Sequence, residues 1–514
     1  MKKRVWFIVG AAVLLLAVSG VLVFELLIKN TVTAEDFLQP QFSSQNAAEG
    51  ATVVYETLKK GERPDAANLV ADGDSAWTPR DIARKPGADT DDVCNAAAEL
   101  LLKQSSAFNT ALIEETGDEV QHFRLQAYVG GGWQTVYQSE KIEALRLCSF
   151  DAVETDRVRL VIDKFRGTKP AKIKSLKLYN EPAREVNDFN VTVYQRLDGD
   201  VPSEVLKRSI EEIKTFARYY DVYNTVLIFG AVNWKNGEMT FNVPDGEAGF
   251  ARELDALRQI IEQRQNKEHK VKIVCTALAD GAGGNGHTGV NVFMAEHWRR
   301  VADQMVDFLK KYDLDGLDVD WEYPSTKDDW ACYDSFIARL DDGMKAFKPD
   351  AVLSAALSAW SLGMSKETLA RFDQIQYMAY DGNDKDGYQS SLDQAQRGLL
   401  DFIGKGVNPK RINIGIAAYG RPLNSAPYWA NWRDVQGGDD LYWHSMQYNV
   451  TAGDQLFDAA FCAPALAGDK TAYALLSGVG GVMVFRLACD KTMDDPNSVA
   501  CGIENALKRY LTKW

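Results

Sequence analysis

At 514 residues, 46% hydrophobic and 25% charged, the chain holds enough apolar content for more than one globular domain. Its net charge is −14, and no Lys/Arg-rich block follows the first few residues, which argues against nucleic acid as a partner. Seven cysteines are scattered without a C-x-x-C pair, which argues against a zinc site and reads as mostly buried thiols.

Lys2-Lys-Arg4 precedes an apolar run from Val5 to Ile28, interrupted mainly by Ser19 and Glu25. Cations followed by a run close to the ~20 residues that span a bilayer predict a signal anchor over residues 1–34. A cleaved signal ending near Ala34 is the alternative. Either places the remainder outside the cytoplasm, membrane-anchored or secreted. Residues 35–46 read as a linker.

Residues 47–181 carry short alternating runs, among them Phe108–Glu114, His122–Tyr128, Trp133–Gln138, Val158–Ile162 and Ile173–Leu178. Turn residues such as Gly130-Gly-Gly132 separate them. This pattern predicts an antiparallel β-sandwich. Phe123-x-Leu-x-Ala-Tyr128, Gly132-Trp133, Arg157-Val-Arg-Leu-Val-Ile162 and Leu176-x-Leu-Tyr179 together resemble discoidin-type (coagulation-factor type C) jelly rolls. That family includes carbohydrate-binding modules, so the resemblance implies sugar binding or a structural spacer. Asp72-Gly-Asp74 matches its N-terminal loop, but Ser175 stands where many members place a Ca²⁺-binding Glu.

From Asp188 to Trp514 strands and amphipathic helices alternate. The strand-like segments are Asn190–Tyr194, Thr225–Gly230, Lys272–Leu278, Gly316–Glu322, Val352–Ser358, Gln374–Tyr380, Arg411–Ala417 and Gly480–Phe485. Eight of them predict a (β/α)8 barrel. The alternative, an open doubly wound sheet, lacks its glycine-rich phosphate turn; Gly281–Gly286 opens no helix with that spacing and reads as a loop. Helical stretches are expected at Ser203–Tyr219, Glu247–Gln265, Met294–Lys311 and Asp328–Phe347.

The densest chemistry lies in Asp315-Gly-Leu-Asp-Val-Asp-Trp-Glu322. Strict alternation puts Asp318, Asp320 and Glu322 on one strand face and Leu317, Val319 and Trp321 on the other. Three carboxylates on one face repel, so at least one holds a proton near neutrality, as glycosidic cleavage requires. A solvated surface or an oxygen-ligand metal site is the competing reading. Asp315, Asp318, Asp320 and Glu322 match the D-x-x-D-x-D-x-E signature of family 18 glycoside hydrolases, and Trp-Glu-Tyr-Pro follows as in chitinases. Met378-Ala-Tyr380-Asp381 is similar to the family's M-x-Y-D, and Gly480–Phe485 resembles its G-G-x-M-x-W.

The resemblance implies an endo-acting hydrolase cleaving β-1,4 linkages after N-acetylglucosamine, by substrate-assisted retention and with neither metal nor organic cofactor. Glu322 would be the acid, with Asp320, Asp318 and Tyr380 catalytic beside it. Asp381, Met378, Phe485, Tyr419, Arg421 and Trp360 would bind substrate, and Asp315 would be structural. An endo-β-N-acetylglucosaminidase on N-glycans and an inactive, lectin-like barrel are the alternatives. Two departures stand out. The third strand ends Thr276-Ala-Leu-Ala279 where the family has S-x-G-G, and Phe485 replaces the floor tryptophan. With about sixty residues between the last two strands, no α+β insertion is expected there, and a shallower groove follows. Trp234, Trp360, Trp429 and Trp432 are each candidates for sugar stacking or ordinary packing. Oligomeric state is not legible.

Overall fold

The computed structural model describes residues 33–71, 73–80, 96–166, 171–197, 201–278, 286–424, 426, 428–440, 442–452 and 454–514. The expected anchor at Val5–Ile28, the turn Gly167–Pro170, Asp72 and the glycine-rich residues 281–285 lie outside them. Among the described residues, no helix is long and apolar enough to cross a membrane.

The N-terminal body is built from six strands, β1 (Thr52–Glu56), β2 (Ala96–Glu115), β3 (Val120–Val129), β4 (Gly132–Ser139), β5 (Arg146–Phe165) and β6 (Ile173–Tyr179). The order is β1-β2-β5-β3-β4, with β6 also on β2, and every pairing is antiparallel. The predicted sandwich called for two separate sheets; hydrogen bonding instead joins all six strands in one. The reason lies in β2 and β5. Each runs 20 residues, and register shifts at Leu101/Ser106 and Phe108/Thr110 let them bend and continue where two short strands were expected. The polar stretch 103–106 disguises that continuity in the sequence. Leu100, Phe123, Leu125, Val158, Leu160 and Ile162 point into a dry core on one face.

Residues 35–46 are not a free linker. Phe37 is buried, Phe42 stacks on Tyr179 with ring centroids 3.7 Å apart, and the Gln41 N–H donates to the Leu476 carbonyl at 2.8 Å. The two phenylalanines supply burial that the polar residues between them conceal.

The second body is the expected parallel barrel. Its strands in chain order are Asn190–Gln195, Thr225–Ile228, Lys272–Ala277, Gly316–Val319, Val352–Leu357, Gln374–Tyr377, Ile412–Ala417 and Gly481–Phe485, and the sheet closes on itself. The helices Gly246–Ile261, Gly286–Tyr312 and Lys327–Phe347 follow their apolar periodicity. The stretch expected as one helix at Ser203–Tyr219 breaks into Pro202–Val205, Ile210–Ala217 and Tyr219–Val222. Ser209 and Glu212 cap the middle piece reciprocally, which starts a new helix inside the run.

Between the seventh and eighth barrel strands sits a four-stranded antiparallel sheet of Tyr419–Pro422, Ala430–Asn431, Gln447–Ala452 and Gln455–Ala460. No α+β insertion was expected there; the described residues hold this small sheet with two 3-10 turns, Trp432–Asp434 and Tyr442–His444, too small to show as a strand–helix pattern.

The two bodies meet on the helix Pro464–Ser477. All of its residues except Ala465 are buried. One side faces the barrel strands, the other faces β5. Buried inside that contact, the Tyr137 hydroxyl donates to Asp469 Oδ2 at 2.5 Å and accepts from Arg146 at 2.5 Å, while Arg146 also reaches Asp469 at 3.2 Å. The Ser149 N–H donates to the other Asp469 oxygen at 2.8 Å.

Candidate active site

The fourth barrel strand ends at Val319, and the acid row continues past it. Leu317, Val319 and Trp321 are buried in the core on the outer side of the strand. On the other side exposure rises along the row: Asp318 is 0% exposed, Asp320 is 8%, and Glu322 is partly exposed. The strand thus runs its carboxylates from the barrel interior to the mouth at its carboxyl end. The loop after Glu322 is tied back by the following helix. Thr326 caps that helix, and Asp329 accepts the backbone N–H of both Ser325 and Thr326. The Glu322–Tyr323 and Phe485–Arg486 peptide bonds are both cis.

Asp318 is held by three hydroxyls from three strands. Tyr194 and Thr276 donate to one oxygen, each at 3.0 Å, and Ser354 donates to the other at 2.5 Å. Burial pushes its pKa above the usual carboxylate range, while the three donors pull it back. Thr276, one of the departures noted above, therefore supplies a hydroxyl to the row. Ala279 lies outside the described residues.

Tyr380 follows the sixth strand and faces the row. Burial, then the charges of Asp320 and Glu322, push its phenol well above the usual tyrosine range. It therefore stays a proton donor at any working pH. Asp381 next to it has φ +60°, and Arg421 Nε donates to its Oδ1 at 2.8 Å. Tyr419 stacks on Trp429 at 3.7 Å, and the Arg421 guanidinium lies 5.0 Å from the Trp429 ring.

Phe485 ends the eighth strand in a cage of rings, with Phe229 at 5.2 Å, Tyr194 at 5.6 Å and Tyr380 at 6.1 Å. These groups line a cleft of about 830 Å³ that also includes Asp320, Glu322, Met378 and Trp360. That size suits a small-molecule or oligosaccharide site.

The four candidate tryptophans divide evenly. Trp360 is 74% exposed at the cleft rim beside Tyr323, and Trp429 lines the cleft wall. Trp234 and Trp432 are buried, and their indole N–H groups donate to Gln304 and to the Asn497 carbonyl. Tyr194, Phe229, Arg196 and Ser358 line the cleft as well and were not singled out in the sequence. None of the four sits in a motif, and Tyr194 shares its strand with Asn190, Thr192 and Gln195. Asp315 lies at the opposite strand end, where it accepts the Ile273 N–H and pairs with Lys270.

The sequence profile of Glycosyl hydrolases family 18 matches residues 208–490. Chitinase A1 of Niallia circulans is 23% identical over 345 residues, covering 53% of this chain and 49% of that protein. Endochitinase of Manduca sexta is 28% identical over 173 residues, covering 28% of this chain and 31% of that protein. The chain thus spans about half or less of the length of these curated relatives. Among solved structures, the GH18 chitinase ChiB from the chitin utilization locus of Flavobacterium johnsoniae aligns with a TM-score of 0.48 at 17% identity, covering 62% of this chain and 94% of that one.

Proposed function

The chain belongs to glycosyl hydrolase family 18 and is a chitinase-like glycoside hydrolase, and from that premise we propose that it cleaves within β-1,4-linked N-acetylglucosamine chains by substrate-assisted retaining catalysis. The observation that carries the proposal is the graded row Asp318–Asp320–Glu322, whose last two carboxylates line one cleft with Tyr380 while Asp318 is fully buried.

Glu322, at the mouth, protonates the glycosidic oxygen as the bond to the leaving sugar breaks. The acetamido oxygen of the retained sugar attacks the anomeric carbon, so no protein nucleophile is needed. The Tyr380 hydroxyl, held protonated, donates to the acetamido oxygen and positions it. Asp320 accepts the acetamido N–H and stabilises the positive charge of the oxazolinium. Water then opens that ring, giving its proton to Glu322. Asp318 and Asp320 share a proton as a pair, and the three hydroxyls around Asp318 fix its place while Glu322 changes charge. Asp381, anchored by Arg421, holds the sugar at the cleavage point, and Phe485 offers a stacking face smaller than an indole. The acetamido requirement restricts the retained sugar to an N-acetylhexosamine. The basic-then-apolar start of the chain supports action outside the cytoplasm.

Asp318→Asn is expected to lower kcat by about 10²-fold and to remove from the pH–rate profile the limb that belongs to the Asp318–Asp320 pair. An unchanged profile would detach Asp318 from the proton inventory.

The direct test is mass spectrometry of products from the full chain on a chitin hexasaccharide and, in parallel, on a glycoprotein bearing N-glycans. Short N-acetylglucosamine oligomers from the first substrate are expected. Glycans released with one N-acetylglucosamine left on the protein would shift the reading to an endo-β-N-acetylglucosaminidase. Binding without cleavage of either would make the barrel a lectin.

A further inference from the structure

The outward face of the six-stranded sheet carries a row of side chains that neither the core nor the cleft uses. Tyr55 of β1 faces Glu99 of β2, Glu99 faces Arg159 of β5, Arg159 faces Gln126 of β3, and Gln126 faces Thr135 of β4. On flanking rows Arg157 faces Leu101, and Arg124 faces Val161. Alternation along each strand places Arg124, Arg157 and Arg159 on this one face of a protein whose net charge is −14.

Two of these arginines are matched. Arg124 forks onto the two Asp163 oxygens at 2.8 and 2.6 Å, and two Arg157 nitrogens donate to the one Glu99 Oε1 at 3.0 and 2.5 Å. Arg159 is not. Its Nε donates to the Gln126 amide oxygen at 2.5 Å and its guanidinium lies 4.4 Å from the Trp133 ring, but no carboxylate among the described residues lies within ion-pair distance. Burial, then the neighbouring Arg124 charge, hold its pKa below the usual arginine range, against the opposing pull of the Glu99 and Asp163 charges. A cavity of about 430 Å³ opens over it, lined also by Tyr55, Glu99 and Arg124. Tyr55 is 53% exposed at one side, and Trp133 is partly exposed at the other. Four strand spacings, about 19 Å, separate β1 from β4.

We propose that this face binds a carboxylate-bearing polysaccharide, one sugar carboxylate on the Arg159 guanidinium and sugar rings against Tyr55 and Trp133. The planar guanidinium fork matches a carboxylate in two parallel hydrogen bonds. One unmatched cation asks for one negative charge per site, which a sugar acid supplies. A nucleic acid would need a track of cations that this acidic protein lacks. The location also fits a glycan. A second cavity, of about 610 Å³, shares Arg124 and continues to the seam between the bodies, where Asp386 and Tyr388 form its far wall. Those two residues belong to the loop that begins at Asp381 in the catalytic cleft.

The test is calorimetric titration of the full chain, carrying Glu322→Gln so that nothing is cut. The ligands are a decasaccharide of alternating N-acetylglucosamine and glucuronate and its carboxyl methyl ester. Saturating chitin hexasaccharide is present to fill the cleft. The acid form is expected to bind, the ester at least about tenfold more weakly, and Arg159→Gln to lose a similar factor. Tyr55→Ala weakens binding severalfold, and since Tyr55 is exposed it carries the test if Arg159→Gln perturbs folding. In the Glu322 background both substitutions leave turnover of a chitobioside unchanged. Equal affinity for acid and ester, no binding of the acid, or binding that survives both substitutions would overturn the proposal. None of the binding readouts depends on bond cleavage, so they stand apart from the catalytic assignment.

Discussion

Glu322→Gln lowers kcat on a chitin hexasaccharide by about 10²–10⁴-fold, the span that general acid catalysis supplies, while oligosaccharide affinity stays within a few-fold of the parent. The substitution keeps the side chain's shape and a hydrogen-bond donor at the cleft mouth and removes only the transferable proton. Tyr380, Asp381, Phe485 and Trp360 are untouched, so ground-state contacts persist. The asymmetry between kcat and affinity is the diagnostic: an interaction made only in the transition state has been lost. Steady-state kinetics with calorimetric binding on the same preparation measures both. Turnover at the parent's rate would reject Glu322 as the acid and move attention to Asp320.

The second large effect is on stability and lies far from the cleft. Asp469→Ala is expected to cost about 3–5 kcal/mol, because it strands the buried Arg146 guanidinium with only hydroxyl partners, Tyr137 and Ser139. Replacing both partners with apolar residues, Asp469→Leu with Arg146→Met, recovers most of that loss, since no uncompensated charge then remains. Urea denaturation of the single and double variants separates the outcomes. A single variant within about 1 kcal/mol of the parent would mean that water reaches Arg146.

The barrel and its acid row were legible because both rest on strict periodicities. Strand–helix alternation marks a parallel sheet, and a carboxylate at every second position marks one face of a strand. The exposure gradient was not legible, because the strand expected to run to Glu322 ends its ladder at Val319. The sheet domain was less legible. Its strands β2 and β5 run through bulges and a polar stretch, and bulges break the alternation on which strand reading depends. The donors to Asp318 were invisible for another reason. Tyr194, Thr276 and Ser354 come from three strands, Thr276 and Ser354 each the one hydroxyl of its strand and Tyr194 one of two, and only barrel closure brings them to one carboxylate. Likewise, nothing local separates Trp360, at the rim, from Trp432, in the core. The seam between the bodies was the least readable part: Arg146 and Asp469 lie 323 positions apart.

The helix Pro464–Ser477 has no face turned to water, being claimed by the barrel on one side and β5 on the other. The barrel is therefore not a portable module. A fragment cut at Asp188 would lay bare the β5-facing side of that helix, with the carboxylate of Asp469, just upstream of the strand that carries Phe485. Such a fragment is a candidate for aggregation rather than for activity. Heating the intact protein should accordingly melt both bodies in one calorimetric transition.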